Sequence, residues 1–397
     1  MLMAAIRILI VLIMVRGYLV AIAAFVLLIL VYGPMICLLV ITTKFLVLFL
    51  EWLDVQNNTR RVIPSFFDMK KTLVAATCAL LAAGLALTGC KEKKAEKMVL
   101  RYAENQAQDY PTTKAAYKFA ELVEQKTNGR IHIDVYHGGQ LGDEKAVIEQ
   151  LQFGAIDFTR VSISPLSEFE KSLNVLQLPY LYKDAAQMWR VLDGSIGEKF
   201  LNSMDKNNLI GLSWFDAGAR NFYDSKRPIT KLSDMKGLKI RVQESQLMMG
   251  MVAALGASAT PMAYGEVYSG LQTGVIDGAE NNWPSYDSVS HYEVAKYYVL
   301  DEHTRVPEMQ LVSKLTWDKF SDSDKAIIKE CAKESAKLER ELWAAKEKVS
   351  EEKVRAAGCT ITELEPGEKE KFQAAMAPLY AQFGAGYEDV IKNIQAQ

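Results

Sequence analysis

Residues 237–283 switch repeatedly between the two hydrophobic periodicities that distinguish strands from helices, and few architectures accept such a stretch. Leu238, Ile240 and Val242 alternate with Lys239 and Arg241, which predicts a short strand with one apolar face. Arg241 therefore points away from that face. Met248, Met251, Val252 and Leu255 recur at helical spacing and stop at Gly256, a helix with a glycine end signal. A second short helix, with Val267, Tyr268 and Leu271 inward, stops at Gly274. Val275-Ile276 reads as a third element that delivers Glu280 and Asn281 at its end. The order is strand, helix, strand, helix, strand, with an Arg, an aromatic and an Asn near element ends. In open α/β sheets, ligands bind at such ends.

The preceding chain repeats the alternation. Residues 99–103 read as a strand, and Ala116, Phe119, Ala120 and Val123 as a helical stripe closed by Asn128-Gly129. Ile131, Ile133 and Val135 form a second strand, Gly138-Gly139 turns the chain, and Val147, Ile148 and Leu151 make a helix stopped at Gly154. Residues 156–159 are a third strand. This spacing indicates βαβ units and a largely parallel sheet. Residues 173–182 read as an apolar loop, Trp189, Leu192 and Ile196 as one further helix, and residues 209–215 as a buried strand. Residues 297–300 and 311–313 are strands. Ser321 with Asp324 resembles a helix cap. No Pro or Gly follows until beyond Arg355, so one long, charged helix is expected. A strand at residues 359–363 and one final amphipathic helix complete the reading.

The N-terminus is of another kind. Residues 1–50 carry only Arg7, Arg16 and Lys44 as charges, and the apolar run over residues 17–50 is long enough for one or two membrane passes. Met69-Lys70-Lys71 then precedes an apolar run and Leu87-Thr88-Gly89-Cys90. A basic start, an apolar middle and a small-residue cleavage site make a secretory signal over residues 69–89. Its ending resembles a bacterial lipoprotein signal, which implies lipidation at Cys90 and a tether over residues 90–97. Each buried acyl CH₂ adds ~0.8 kcal/mol of membrane affinity, so several chains on one Cys anchor stably. A complete signal with its own Met has no reason to follow another membrane segment. Residues 1–68 are therefore read as an upstream start assignment, the alternative being a membrane hairpin.

The net charge of −2 comes without the clustered basic face that nucleic acid requires, so no nucleic-acid partner is expected. His132, His137, His291 and His303 lie in no HExxH pattern. GxSxG and GxxxxGK[ST] are also missing. Asp301-Glu302-His303 could hold a metal only if consecutive side chains converged. Hence no catalytic residue, no metal and no cofactor are expected. Cys331 and Cys359 have no metal-type spacing. A disulfide between them and two inert thiols are both open; thiols are preferred, because a domain this large needs no staple.

Asp234-Met235-Lys236-Gly237-Leu238-Lys239-Ile240-Arg241-Val242 resembles the solute-binding subunits of tripartite ATP-independent periplasmic (TRAP) transporters. Gln140-Leu141-Gly142, Gly154-Ala155-Ile156-Asp157, Gly265-Glu266-Val267-Tyr268, Leu271-Gln272-Thr273-Gly274 and Asp277-Gly278-Ala279-Glu280-Asn281 match in order, and the resemblance covers roughly residues 98–390. It implies an α/β, two-lobed periplasmic binding protein fold with mixed sheets and one long helix crossing both lobes. Lobe I would hold residues 98–219 and 307–346, and lobe II residues 220–306 and 347–397. It also implies capture of a carboxylate-bearing solute and delivery to the small and large permease subunits in the membrane.

By resemblance, Arg241 is the clamp of the solute carboxylate, Arg220 a supporting Arg, and Asn281 an amide reaching the carboxylate from another side. Tyr264 matches an aromatic placed against the solute. Asn105 and Glu144 match positions that reach its hydroxyls. Ser162 departs from the acidic residue of sialic-acid binders. The segments Thr159-Arg160-Val161-Ser162-Ile163-Ser164-Pro165-Leu166, Asn282-Trp283-Pro284-Ser285-Tyr286 and Asp301-Glu302-His303-Thr304-Arg305-Val306-Pro307-Glu308 look like the sugar-acid branch, with hexuronates such as glucuronate or galacturonate favoured. A C4-dicarboxylate is the alternative and would want a second cationic anchor, from Arg160 or Arg220. A ligand-sensing subunit of a receptor is the remote one.

Overall fold

The computed structural model describes residues 97–397. The signal, Cys90, most of the tether and the extension over residues 1–68 lie outside the described residues. Residues 97–397 fall in one compact unit, built on two sheets. The first has five strands in the order β2-β1-β3-β11-β4: β1 is Met98–Ala103, β2 Ile131–Tyr136, β3 Phe158–Ser162, β4 Leu209–Phe215 and β11 Glu308–Ser313. The second follows β12-β9-β5-β8-β6-β7, with β10 beside β5. Its strands are β5 Ala219–Asp224, β6 Lys239–Val242, β7 Ser258–Pro261, β8 Gly278–Asn281, β9 Tyr297–Val299, β10 Thr304–Arg305 and β12 Thr360–Thr362.

Both sheets are mixed, which corrects the largely parallel expectation. The βαβ unit does pair β2, β1 and β3 in parallel. Strand β11, however, returns from the second sheet and inserts antiparallel between β3 and β4. No helix leads into it, so hydrophobic periodicity carried no sign of its direction. The chain passes from the first sheet to the second between Phe215 and Ala219 and comes back between Arg305 and Glu308.

Helix α1, Pro111–Lys126, buries Ala116, Phe119 and Val123 on the first sheet and ends through Asn128 and Gly129 at positive φ. Helix α2, Glu144–Gln152, is capped by Asp143, whose carboxylate accepts from the Ala146 N–H at 2.9 Å. On the second sheet α3, Gln246–Ala254, and α4, Val267–Thr273, alternate with β6, β7 and β8 as expected.

The long helix α5 runs from Asp322 to Ala356, 35 residues, with the Ser321 hydroxyl accepting from the Asp324 N–H. Ile328, Cys331 and Ala332 join the core under β1 and α1, whereas Val354 packs with Tyr223, Tyr286 and Tyr298 on the second sheet. One helix thus spans both halves. Among the described residues no helix is long and apolar enough to cross a membrane. Cys331 and Cys359 are free thiols.

Four local expectations are corrected. The element after α4 is not Val275-Ile276: Val275 is exposed and the strand is Gly278–Asn281. The apolar loop contains a 3₁₀ turn, Lys171–Gln177. The Trp189 helix is two helices, Ala185–Leu192 and Ser195–Asn202, broken at Asp193-Gly194. The final helix is three short ones, Glu368–Ala375, Ala377–Phe383 and Glu388–Gln395. Strand β3 also runs further than expected, to Ser162, which carries Arg160 into the middle of the molecule.

Candidate functional site

A narrow cavity, partly open to solvent, is lined from both sheets. Asn105 and Gln106 follow β1, Glu144 opens α2, Arg160 lies on β3 and Glu308 starts β11. Arg220, Arg241 and Asn281 come from β5, β6 and β8, joined by Gln243, Tyr264, Asn282 and Ser285. Six of the seven expected residues line it. The seventh, Ser162, stands behind the wall: its N–H donates to Glu144 Oε1 at 2.8 Å and its hydroxyl reaches Gln243 Oε1 at 3.4 Å.

The three arginines are in different states. Arg160 is buried and held by Glu104 through two nitrogens, with Nε–Oε2 at 3.0 Å. Its Nη2 also donates to Asn105 Oδ1 at 2.7 Å, and its Nη1 lies 3.1 Å from Glu308 and 3.6 Å from Glu144. Arg220 is buried against Glu280: Nη2 donates to Oε1 and to the Glu280 carbonyl, both at 2.9 Å, and Nε to Oε2. Arg241 differs. Its Nε and Nη2 donate to the Met262 carbonyl at 2.9 and 2.7 Å. Among the described residues no carboxylate comes within salt-bridge distance of it. It is only 2 % exposed, and its Nη1, which has no hydrogen-bond partner among the described residues, faces the cavity.

Such a charge is costly unless an anion answers it. Burial pushes the Arg241 guanidinium down from its usual range, opposed by the field of Glu280. An arginine does not give up its proton in a protein, so the site is suited to a negative ligand. The Met262 carbonyl fixes the plane of the guanidinium beforehand, and its outer edge is free for a planar acid group.

Around this charge stand uncommitted amides. Asn281 uses Oδ1 to accept from the Asn282 N–H, Asn105 uses Oδ1 for Arg160, and Gln243 uses Oε1 for Ser162. Their amide nitrogens have no protein acceptor among the described residues. Glu144 is pushed up to about 7 by burial and by Glu308, against the Ser162 N–H and Arg241. Burial also raises Glu308. Tyr264 donates to the Ser285 carbonyl at 2.8 Å, and Tyr110 meets the Ser285 hydroxyl at 2.9 Å. The cavity therefore offers one free cation, several amide donors and two carboxylate acceptors, a set suited to an acid bearing hydroxyls.

Behind Glu280 stands a further chain of charge. His303 Nε2 is 3.4 Å from Glu280 Oε2, and its Nδ1 2.8 Å from Asp301 Oδ2. The two flanking carboxylates, working against burial, raise His303 to about 9. Arg220 and His303 hold Glu280 down at about 2. Asp301 and His303, two residues apart, thus do converge; what lies between them is a hydrogen bond.

Sequence reasoning missed Gln106 and Gln243 and assigned Arg160 and Glu308 no firm role. Gln243 follows Arg241 by two residues, the strand period, and could have been found that way. Glu308 pairs with Ser162 across neighbouring strands, a relation without any local signal.

A family model described as bacterial extracellular solute-binding protein, family 7, matches residues 102–386. The chain belongs to this family. Family 7 comprises the solute-binding subunits of TRAP transporters, and its members are extracytoplasmic binding proteins and not enzymes. A solute-binding protein of Chromohalobacter salexigens is 43% identical over 315 residues, 79% of this chain and 93% of that protein. A TRAP solute-binding protein from Xanthobacter autotrophicus, solved with bound β-D-galacturonate, is 45% identical with a TM-score of 0.73. One from Chromohalobacter salexigens, solved with bound D-glucuronate, is 43% identical with a TM-score of 0.72. Both alignments cover 75% of this chain and 99% of the other. The family-7 likeness extends over both sheets and so over the whole cavity.

Proposed function

We propose that this chain captures a hexuronate, such as glucuronate or galacturonate, and delivers it to the small and large permease subunits of a TRAP transporter. The observation that carries the reading is Arg241, a buried guanidinium without a carboxylate partner in a cavity otherwise rich in amide donors and carboxylate acceptors. The uronates bound to the two similar proteins support it. The solute carboxylate meets the outer edge of Arg241, with Asn281 beside it and Tyr264 against the ring. Asn105 and Glu144 take hydroxyls, while Arg220 supports the wall through Glu280 and Ser162 holds Glu144. A C4-dicarboxylate is less well served, because Arg160 and Arg220 already answer Glu104 and Glu280.

In this reading residues 98–219 and 307–346 form lobe I and residues 220–306 and 347–397 lobe II. The lobes close over the solute by bending near Arg220 and Val306, where the chain crosses. Lipidation at Cys90 keeps the protein at a bacterial membrane. Labelling cells with a radioactive fatty acid tests this: the wild type takes up label and C90S does not.

A thermal-shift screen of uronates, aldonates, C4-dicarboxylates and neutral sugars tests the solute class. Ligands that bind the folded state raise its melting temperature by mass action. A uronate should give the largest shift. A response to neutral sugars alone overturns the reading.

A further inference from the structure

We propose that Glu308, together with Glu144, restricts this site to acids with a single carboxylate and excludes their dicarboxylate counterparts. The inference rests on Arg241 as the clamp for the first carboxylate. It asks what the rest of the cavity would do to a second one.

Beyond Arg241, each cation lining the cavity among the described residues is already answered. Arg220 faces Glu280, and Arg160 is shared among Glu104, Glu144 and Glu308. That second cluster has three carboxyl groups around one guanidinium, so it carries an excess of negative charge. Glu308 is its least satisfied member. Its Oε2 lies 3.1 Å from Arg160 Nη1, yet at an angle that makes no hydrogen bond, and the atom is buried without a partner. Burial raises Glu308, and Glu308 in turn raises Glu144, as expected where negative charge is crowded. A hydroxyl donating to Glu308 or Glu144 relieves this crowding. A carboxylate in the same place has no proton to give and adds to it, unless one of the two glutamates is first protonated, which costs affinity at neutral and higher pH.

The position of Glu308 explains why it can act on the ligand. It is the first residue of β11, directly after the crossing at Val306-Pro307, and pairs in register with Ser162 on β3 and Phe215 on β4. Ser162 is the residue that holds Glu144. The two carboxyl groups are thus fixed by adjacent backbone on the first sheet, whereas the free guanidinium comes from the second. A solute lying between the sheets with its acid group on Arg241 presents its remaining groups to the glutamates.

Galacturonate and galactarate differ at the carbon remote from the first carboxylate, which is the anomeric centre of a ring in one and a second carboxylate on an open chain in the other, so the charge is isolated by how E308Q and E144Q change the ratio between them. Like charges brought together at a binding interface are strongly unfavourable. Calorimetry on the purified full chain should show galactarate binding at least about 100-fold more weakly than galacturonate. Glu308→Gln keeps shape and hydrogen bonding while removing the charge, and should shrink that ratio by about 10-fold or more, with Glu144→Gln acting in the same direction. A melting temperature near that of the wild type shows that each variant is folded. Equal affinity of the wild type for both acids overturns the proposal, and so does a ratio that neither variant changes. If no uronate binds, the uronate reading fails, and the question passes to whichever monocarboxylate does bind and its dicarboxylate counterpart. A preference for the monoacid that E308Q abolishes still supports Glu308; a preference for the diacid overturns it.

Discussion

Arg220 and Arg241 sit on the two strands that flank β8, and only Arg220 is tied to the Glu280 which that strand carries. Both guanidinium groups are buried. One belongs to a finished ion pair and the other waits for its anion. Two buried arginines on strands either side of β8 therefore stand in opposite electrostatic states.

Arg241→Ala should weaken uronate binding by ~10²–10³-fold or more, because removing one partner of a buried charge pair costs ~3–5 kcal/mol. Arg241→Lys should bind poorly as well, since an ammonium cannot present the planar edge that the Met262 carbonyl orients. The apo protein should lose no stability in the alanine variant, which relieves an unanswered buried charge, whereas the lysine variant keeps that charge and gains nothing. Calorimetry and thermal melting together check this. Wild-type affinity in the alanine variant removes Arg241 from the site.

Glu280→Gln should act in the opposite sense, on folding first. It leaves the Arg220 guanidinium buried without its carboxylate and strips His303 of one acceptor. Breaking one side of a buried pair costs ~3–5 kcal/mol. Urea denaturation of the apo protein should show a loss of that order. A midpoint unchanged from the wild type would mean that Arg220 does not depend on Glu280.

Periodicity was enough to show the strand and helix alternation of the second sheet, the cap at Ser321 and the 35-residue helix, because each is written within a few residues of sequence. It misplaced the strand after α4. Val275-Ile276 is the apolar pair, but Gly278–Asn281 is what fits between β5 and β6. There a side chain at Gly278 would collide with the Tyr223 carbonyl, which leaves space for glycine alone. Resemblance supplied the site residues, six of which the fold brings to one cavity. Resemblance ranked Arg241 as the clamp and Arg220 as its support, but the partner of Arg220 was out of reach, since its pairing with Glu280 is a cross-strand contact over 60 residues of sequence. The antiparallel entry of β11, which carries Glu308, was hidden for the same reason.

The His303 chain predicts how stability responds to alkali. His303 is raised to about 9 in the folded protein by Asp301 and Glu280, from an unfolded value of about 6.5. The folded state therefore binds the proton more tightly, and stability falls as pH rises. This contribution is complete below about pH 6.5 and is lost as pH passes through about 9. Glu280, held at about 2, acts oppositely and is felt only in acid, below an unfolded value of about 4.3. Melting curves between pH 6 and 10 should slope downward, and His303→Gln should flatten the slope. A wild-type slope retained in that variant would place its origin elsewhere.

The crossing between β4 and β5 offers a sharper test, because one glycine there meets two constraints at once. Gly218 has φ +60°, and its N–H donates to Asp216 Oδ1 at 2.8 Å. A Cβ would come 2.5 Å from Glu347 Oε1 and 3.1 Å from Trp343 Nε1, both on the long helix. Gly256, at φ +81°, has nothing within 4 Å of a built Cβ. Gly256→Ala should thus cost only the backbone term, about 1–2 kcal/mol. Gly218→Ala must also turn the flexible end of Glu347 aside and press Trp343 back by a few tenths of an ångström, which adds a further cost of about 1 kcal/mol. The cost falls where the chain links the two sheets against the helix that spans them, so it should also alter solute affinity, which Gly256→Ala should leave unchanged. Denaturation and calorimetry on the two variants measure both effects. Equal losses in the pair would mean that the long helix does not press on the crossing at Gly218.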